Sequence, residues 1–210
     1  MAIGVGPGDL VWTSPISFVA SSNCALYCGA SVDFVDIDPR TYNMSTECLA
    51  EKLAEAEKTN KLPKVVIPVH MSGQSCNMAD IYELSQQYGF NIIEDASHAL
   101  GGRYKNEPIG NGCYSAMSVF SFHPIKMITS GEGGMVLTND SELLKKLRMF
   151  RSHGITSNSE DMYSRAPEQI WNYQQIELGF NYRMTDIQAA LGLNQLKRLN
   201  EFVTKRQSIA

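Results

Sequence analysis

Long apolar runs, cysteine pairs, a surplus of positive charge and internal repeats are all missing from this 210-residue chain. The tightest aliphatic stretch near an expected strand, Val65-Val66-Ile67, is broken at once by Pro68. Nothing approaches the ~20 apolar residues of a membrane span, so no membrane partner is expected. Lys plus Arg number 18 against 22 Asp plus Glu, a formal net charge of −4 with no long run of either sign. That balance leaves no electrostatic footprint for nucleic acid, and none is expected as a partner. The five cysteines are an odd number without a CxxC pair, and Met1-Ala2-Ile3-Gly4 has neither the cationic start nor the apolar stretch of a signal peptide. Together these point to reduced thiols in the cytoplasm. Cys24 and Cys28 are spaced to share a helix face, but two soft ligands without a second pair do not make a zinc site, so no metal is expected.

With 43% apolar and 19% charged residues, the chain can bury roughly 70% of its unfolded surface as one large domain, which excludes disorder. Short apolar runs alternate with stretches of helical period, the pattern of an α/β domain with a mostly parallel central sheet covered by helices. Strands are expected at 9–13, 32–35, 65–69, 91–95, 114–120 and 135–138. Helices are expected at 17–28, offering Phe18, Val19, Ala25 and Leu26 for burial, at 45–58 with Leu49, Leu53 and Ala56 inward, and at 79–88 between Asn77 and Gly89. Ser141 reads as the cap of a helix carrying Leu143, Leu144, Leu147 and Phe150 on one face, and 154–175 as a polar loop. Thr185 and Gln188 form a capping-box pattern opening one long helix through Ile187, Leu191, Leu196, Leu199 and Val203.

Two local features carry chemistry. Asn91-Ile92-Ile93 delivers Glu94 and Asp95 to a strand's carboxyl end, the edge where open α/β sheets bind ligands, although the pair alone is better explained as a loop acid or helix cap. Lys126 sits between Ser121-Phe122-His123-Pro124-Ile125 and the glycines of Gly131-Glu132-Gly133-Gly134. Small and apolar neighbours favour the neutral, nucleophilic amine suited to Schiff-base chemistry. A tight turn before the next strand accounts for the glycines nearly as well. A strand-end acid followed by a lysine is what pyridoxal phosphate requires: the lysine to bond its aldehyde, the carboxylate to keep the pyridine nitrogen protonated.

The chain resembles the sugar aminotransferases of the DegT, DnrJ, EryC1 and StrS family. The motifs are Gly6-Pro7-Gly8-Asp9, Ser14-Pro15-Ile16-Ser17-Phe18-Val19-Ala20, Glu94-Asp95-Ala96-Ser97-His98-Ala99, Ser121-Phe122-His123-Pro124-Ile125-Lys126, Gly131-Glu132-Gly133-Gly134 and Gly179-Phe180-Asn181-Tyr182-Arg183-Met184, in family order across essentially the whole chain. Residues 14–20, 97–101 and 150–154 look most like the pseudaminic-acid branch, whose members aminate C4 of a UDP-linked 4-keto-6-deoxy-N-acetylhexosamine with glutamate as donor. The resemblance implies the aspartate-aminotransferase fold, pyridoxal 5′-phosphate as cofactor, and a role in surface-glycan sugar biosynthesis. It implies Lys126 as the Schiff-base residue and proton shuttle, Asp95 at the pyridine nitrogen, Phe18 stacked on the ring, His98 near the phenolic oxygen and Ser121 on the phosphate. Asn181 would reach the phosphate of a neighbouring subunit, giving a homodimer with shared active sites. Plainer readings stand beside these: Phe18 as a core aromatic, His98 as a structural histidine, Asn181 as a turn residue.

Residues 1–195 are expected to be the cofactor-binding large domain without an upstream segment that relatives carry. Residues 196–210 are expected to be a helix leading toward an absent small domain. A truncated, non-catalytic cofactor-binding paralogue is one alternative. A dehydratase of the sister branch is another, but that branch has histidine where this chain has Lys126. A dinucleotide enzyme would need GxGxxG after the first strand, whereas Gly4-Val5-Gly6-Pro7-Gly8 precedes it.

Overall fold

The computed structural model describes residues 1–164 and 168–209. Strands in chain order are β1 Leu10–Thr13, β2 Ser31–Phe34, β3 Val65–Ile67, β4 Asn91–Asp95, β5 Arg103–Tyr104, β6 Glu107–Pro108, β7 Met117–Ser121, β8 Gly134–Leu137, β9 Ile155–Thr156 and β10 Gln174–Gln175. Helices are α1 Ala20–Tyr27, α2 Thr46–Lys58, α3 Met78–Tyr88, α4 Ser141–Phe150, α5 Asp186–Leu196 and α6 Leu199–Ile209. The central sheet has six strands in the order β2-β1-β3-β4-β7-β8, parallel throughout except for β8.

Side chains alternate across the sheet with a period of two, and both faces are covered. Trp12, Val66 and Ile92 point to one face, where Leu49, Leu53 and Ala56 of α2 and Met78 and Ile81 of α3 close a core. Val11, Val65 and Ile67 point to the other, against Ala25 of α1, with Ile93 packed beside them. Burial there removes about 25 cal/mol of unfavourable hydration per Å² of apolar surface. A third cluster joins Ala96, Ala99, Phe120, Phe122 and Ile128 to Met184, Leu199 and Phe202, so α6 lies against the loops that follow β4 and β7.

Several boundaries differ from the sequence reading. Helix α1 begins at Ala20, because the Ser17 hydroxyl and the Phe18 carbonyl are engaged in a turn before it. Of the four residues offered for burial only Ala25 is buried; Phe18 is 72% exposed, and the inward side of the helix is the small pair Ser21 and Ala25. Strand β7 starts at Met117 and leaves Tyr114 edge-on against Tyr82 and Tyr104. Asp140, not Ser141, caps α4, its carboxylate accepting from the backbone N–H groups of Glu142 and Leu143. Leu144 of that helix is exposed, while Leu143, Leu147 and Phe150 are half-buried. The capping box at Thr185 and Gln188 is present, but the long helix breaks at Lys197–Arg198 so that Leu199 and Phe202 turn into the third cluster. Two short strands, β9 and β10, pair across the expected loop at 154–175. Residues 165–167 of that loop lie outside the described residues.

A crossing of two backbones joins the end of α4 to the segment before α5. His153 N–H donates to Phe180 O, Phe180 N–H to Phe150 O, and Tyr182 N–H to Arg151 O. Gly154 has φ +68° and a side chain there would run into the Glu177 carbonyl, while one at Gly179 would meet the Gly154 amide. Only glycine permits both the conformation and the approach. Gly154→Ala should therefore lower stability by about 2 kcal/mol or more. Gly4→Ala, with φ +76° but nothing within 4 Å, should cost about 1 kcal/mol. Urea denaturation of the two variants checks this, and equal losses would contradict the crossing.

Candidate active site

Three loops carrying the expected site residues leave one edge of the sheet. Because β1, β4 and β7 run parallel, their carboxyl ends coincide, and the antiparallel β8 starts from that same edge. Phe18 lies between β1 and α1, Asp95 closes β4 with His98 just after it, and Ser121 closes β7 ahead of Lys126 in the connection to β8. Asp95 pairs with Val119, which places the ends of β4 and β7 side by side.

Adjacent acids on β4 part to opposite faces. Glu94 follows Ile92 into the face covered by α2 and α3 and is 5% exposed. Its Oε2 accepts from His70 Nε2 at 2.8 Å, and its Oε1 from Ser115 Oγ at 2.5 Å and Ser118 Oγ at 2.9 Å. His70 is fully buried, and its Nδ1 accepts the Cys76 N–H at 3.1 Å, which puts the ring hydrogen on Nε2 facing Glu94. Burial pushes the Glu94 carboxyl up, but the hydrogen bonds from His70, Ser115 and Ser118 outweigh it and hold the group below its ordinary value. Burial pushes the neighbouring Cys76 thiol up to about 12, so it stays protonated.

Asp95 follows Ile93 toward the face covered by α1. Its Oδ2 accepts from Ser21 Oγ at 2.5 Å and its Oδ1 from the Ser97 N–H at 3.0 Å. His98 is half-buried; desolvation and the nearby Lys126 ammonium push its pKa down, against a weaker opposite pull from Asp95. These three groups therefore share one electrostatic neighbourhood. The His98 Nδ1 is buried without a hydrogen-bond partner among the described residues, and a polar atom in that state is a site waiting for a donor or acceptor. Lys126 is half-buried and its side chain makes no hydrogen bond or ion pair among the described residues. Ser121 Oγ accepts from the His123 N–H at 3.4 Å.

Asn181 lies in the segment before α5. It is exposed, its backbone bridges Ser152, and its side chain makes no hydrogen bond among the described residues. Met184, three residues on, packs with Phe120 and Phe122, which brings the segment to the base of the Lys126 loop.

The DegT/DnrJ/EryC1/StrS aminotransferase family model matches residues 1–210. The chain belongs to this family. It is 40% identical over 209 residues to a GDP-perosamine synthase of Caulobacter vibrioides and 39% identical over 209 residues to a UDP-4-amino-4,6-dideoxy-N-acetyl-beta-L-altrosamine transaminase of Campylobacter jejuni. Each match covers 100% of this chain and 51% of the relative, so the chain spans about half the length of the curated relatives it matches. A crystal structure of a family member from Brucella abortus superposes with a TM-score of 0.84 at 33% identity, over 96% of this chain and 50% of that one. The fold is that of its pyridoxal-phosphate aminotransferase neighbours, and solved structures among them carry pyridoxal or pyridoxamine phosphate.

Ser21, His70, Ser115 and Ser118 escaped sequence reasoning. A histidine just past a strand end was open to the rule that singled out Asp95. The serines carry no signal of their own, since only the fold sets their hydroxyls against a carboxylate.

The Glu94 network makes a pH-dependent contribution. A carboxyl whose folded value lies below its ordinary 4.5 stabilises the fold above that pH and loses the contribution as pH falls below it. Glu94→Gln should melt at lower temperature than wild type near neutrality, with the gap closing under acid. Melting curves between about pH 3 and pH 7 test this, and a gap independent of pH would contradict it.

Proposed function

We propose that the protein is a pyridoxal-phosphate-dependent aminotransferase acting on a nucleotide-linked 4-keto-6-deoxy sugar, with glutamate as amino donor, in the biosynthesis of surface-glycan sugars. The observation that carries this reading is the gathering of Phe18, Asp95, His98, Ser121 and Lys126 at one sheet edge from loops distant in sequence. Family membership supplies the reaction class. The residues suit the cofactor's chemistry: an oriented carboxylate, an exposed aromatic face, and an amine and a buried ring nitrogen that make no hydrogen bond among the described residues.

When bound, pyridoxal phosphate supplies an electron sink for the carbon that loses its proton. Asp95 would set a negative charge against the ring nitrogen from the strand end, and Phe18 would offer a flat apolar face to the ring. The His98 imidazole would serve the phenolic oxygen and the Ser121 hydroxyl the phosphate. Lys126 Nζ would hold the cofactor and would take up and return a proton at the reacting carbon, the task of a general acid and base. The pseudaminic-acid reading for the sugar rests on residues 14–20, 97–101 and 150–154, because relatives using UDP and GDP sugars by name are about equally similar overall. Residues 1–195 form the large domain in this reading, and 196–210 lead toward a smaller one. The second subunit of a homodimer gives the exposed Asn181 amide its phosphate.

In the full gene product, amino transfer from glutamate to a UDP-4-keto sugar, followed by 2-oxoglutarate release, should fall far more than tenfold in Lys126→Ala, since a methyl group cannot replace the amine. Activity within tenfold of wild type would overturn the assignment, and a wild type active only on GDP-sugars would overturn the branch. Mixing Lys126→Ala subunits with Asn181→Ala subunits should restore about half the site activity in mixed dimers, one of whose two sites regains both residues. No recovery on mixing would contradict shared sites.

A further inference from the structure

We infer that Ser21 is a positioning residue for the Asp95 carboxylate, and that through it the aromatic Phe18 and the acid at the end of β4 are held as one unit. The inference rests on the proposed role of Asp95 at the ring nitrogen. Ser21 and Asp95 are 74 residues apart in sequence, yet Ser21 Oγ donates to Asp95 Oδ2 at 2.5 Å. Ser21 is 5% exposed, so no bulk water competes for that carboxylate oxygen from its side. The other oxygen accepts the Ser97 N–H at 3.0 Å. A carboxylate anchored at one oxygen swings about its Cβ–Cγ bond. Anchored at both, it has a single plane, and its remaining lone pairs face one way.

The same serine organises the turn that carries Phe18. Its backbone N–H donates to Phe18 O at 3.2 Å, and Ser17 Oγ lies 3.0 Å from both Phe18 O and Ser21 Oγ. With the Ser21 hydrogen committed to Asp95, its oxygen is free to accept from Ser17. This relay ties the loop after β1 to the end of β4. Ser21 faces the sheet because it lies four residues before the buried Ala25, on the same side of α1, and Asp95 faces α1 by the alternation of β4. A hydrogen bond to a charged group is among the stronger single contacts a protein makes.

The test is the ring-nitrogen signal of 15N-labelled pyridoxal phosphate bound to the full gene product, together with the cofactor dissociation constant from absorbance titration. Ser21→Ala should displace the signal toward that of neutral pyridine and weaken binding about tenfold. Ser21→Thr, which keeps the hydroxyl, should restore both, and Ser22→Ala, which removes a hydroxyl that donates to Val19 O, should change neither. Ser21→Cys, a poor donor of similar shape, gives the same readings should the alanine variant fail to fold. Asp95→Asn separates the two ideas. If it moves the signal while Ser21→Ala and Ser21→Cys leave signal and affinity within twofold of wild type, Ser21 has no positioning role. If Asp95→Asn also leaves the signal unmoved, the role of Asp95 falls and this inference falls with it.

Discussion

The strict two-residue alternation of β4 separates two adjacent acids into two different environments. Glu94 and Asp95 are neighbours in sequence and strangers in space, one locked into the core between His70, Ser115 and Ser118, the other turned toward α1 and the site. A slip of one residue in the pairing of β4 with β3 or β7 would exchange them, burying the site carboxylate and exposing the structural one. The Glu94 network opposes such a slip. Three donors converge on a carboxylate that cannot leave the core without stranding a buried histidine, so the register is fixed by polar as well as apolar contacts.

From that register the rest of the site follows by topology. Parallel strands deliver their loops to one edge, so residues from three separate loops meet without any long excursion of the chain. The antiparallel β8 starts from the same edge and closes the Lys126 loop, whose base is packed by Phe122, Ile128, Met184 and α6. The candidate site is thus carried on the ends of regular elements, and among the described residues the Lys126 amine and the His98 Nδ1 make no hydrogen bond.

Much of this was legible in the sequence, for reasons that differ by element. Helices α2 and α3 declare themselves through amphipathic period and clear ends, and the core positions Leu49, Leu53 and Ala56 follow from spacing alone. Asp95 and Lys126 are marked by chemistry at a strand end and beside glycines. Less legible were features set by tertiary contact. The start of α1 depends on hydrogen bonds made by Ser17 and Phe18, and the break at Lys197–Arg198 depends on a cluster that only the folded chain provides. Phe18 shows both sides: its helical spacing suggested burial, while its place in a motif suggested a ligand face, and it is exposed.

The central claim is that the amine at Lys126 is where this molecule holds pyridoxal phosphate. Reduction of the cofactor-loaded protein with borohydride fixes any such bond, and peptide mass spectrometry then locates the phosphopyridoxyl group. The account predicts the label on Lys126, in the peptide that also carries Ser121 and His123. A label on any other lysine, or none at all, would contradict it.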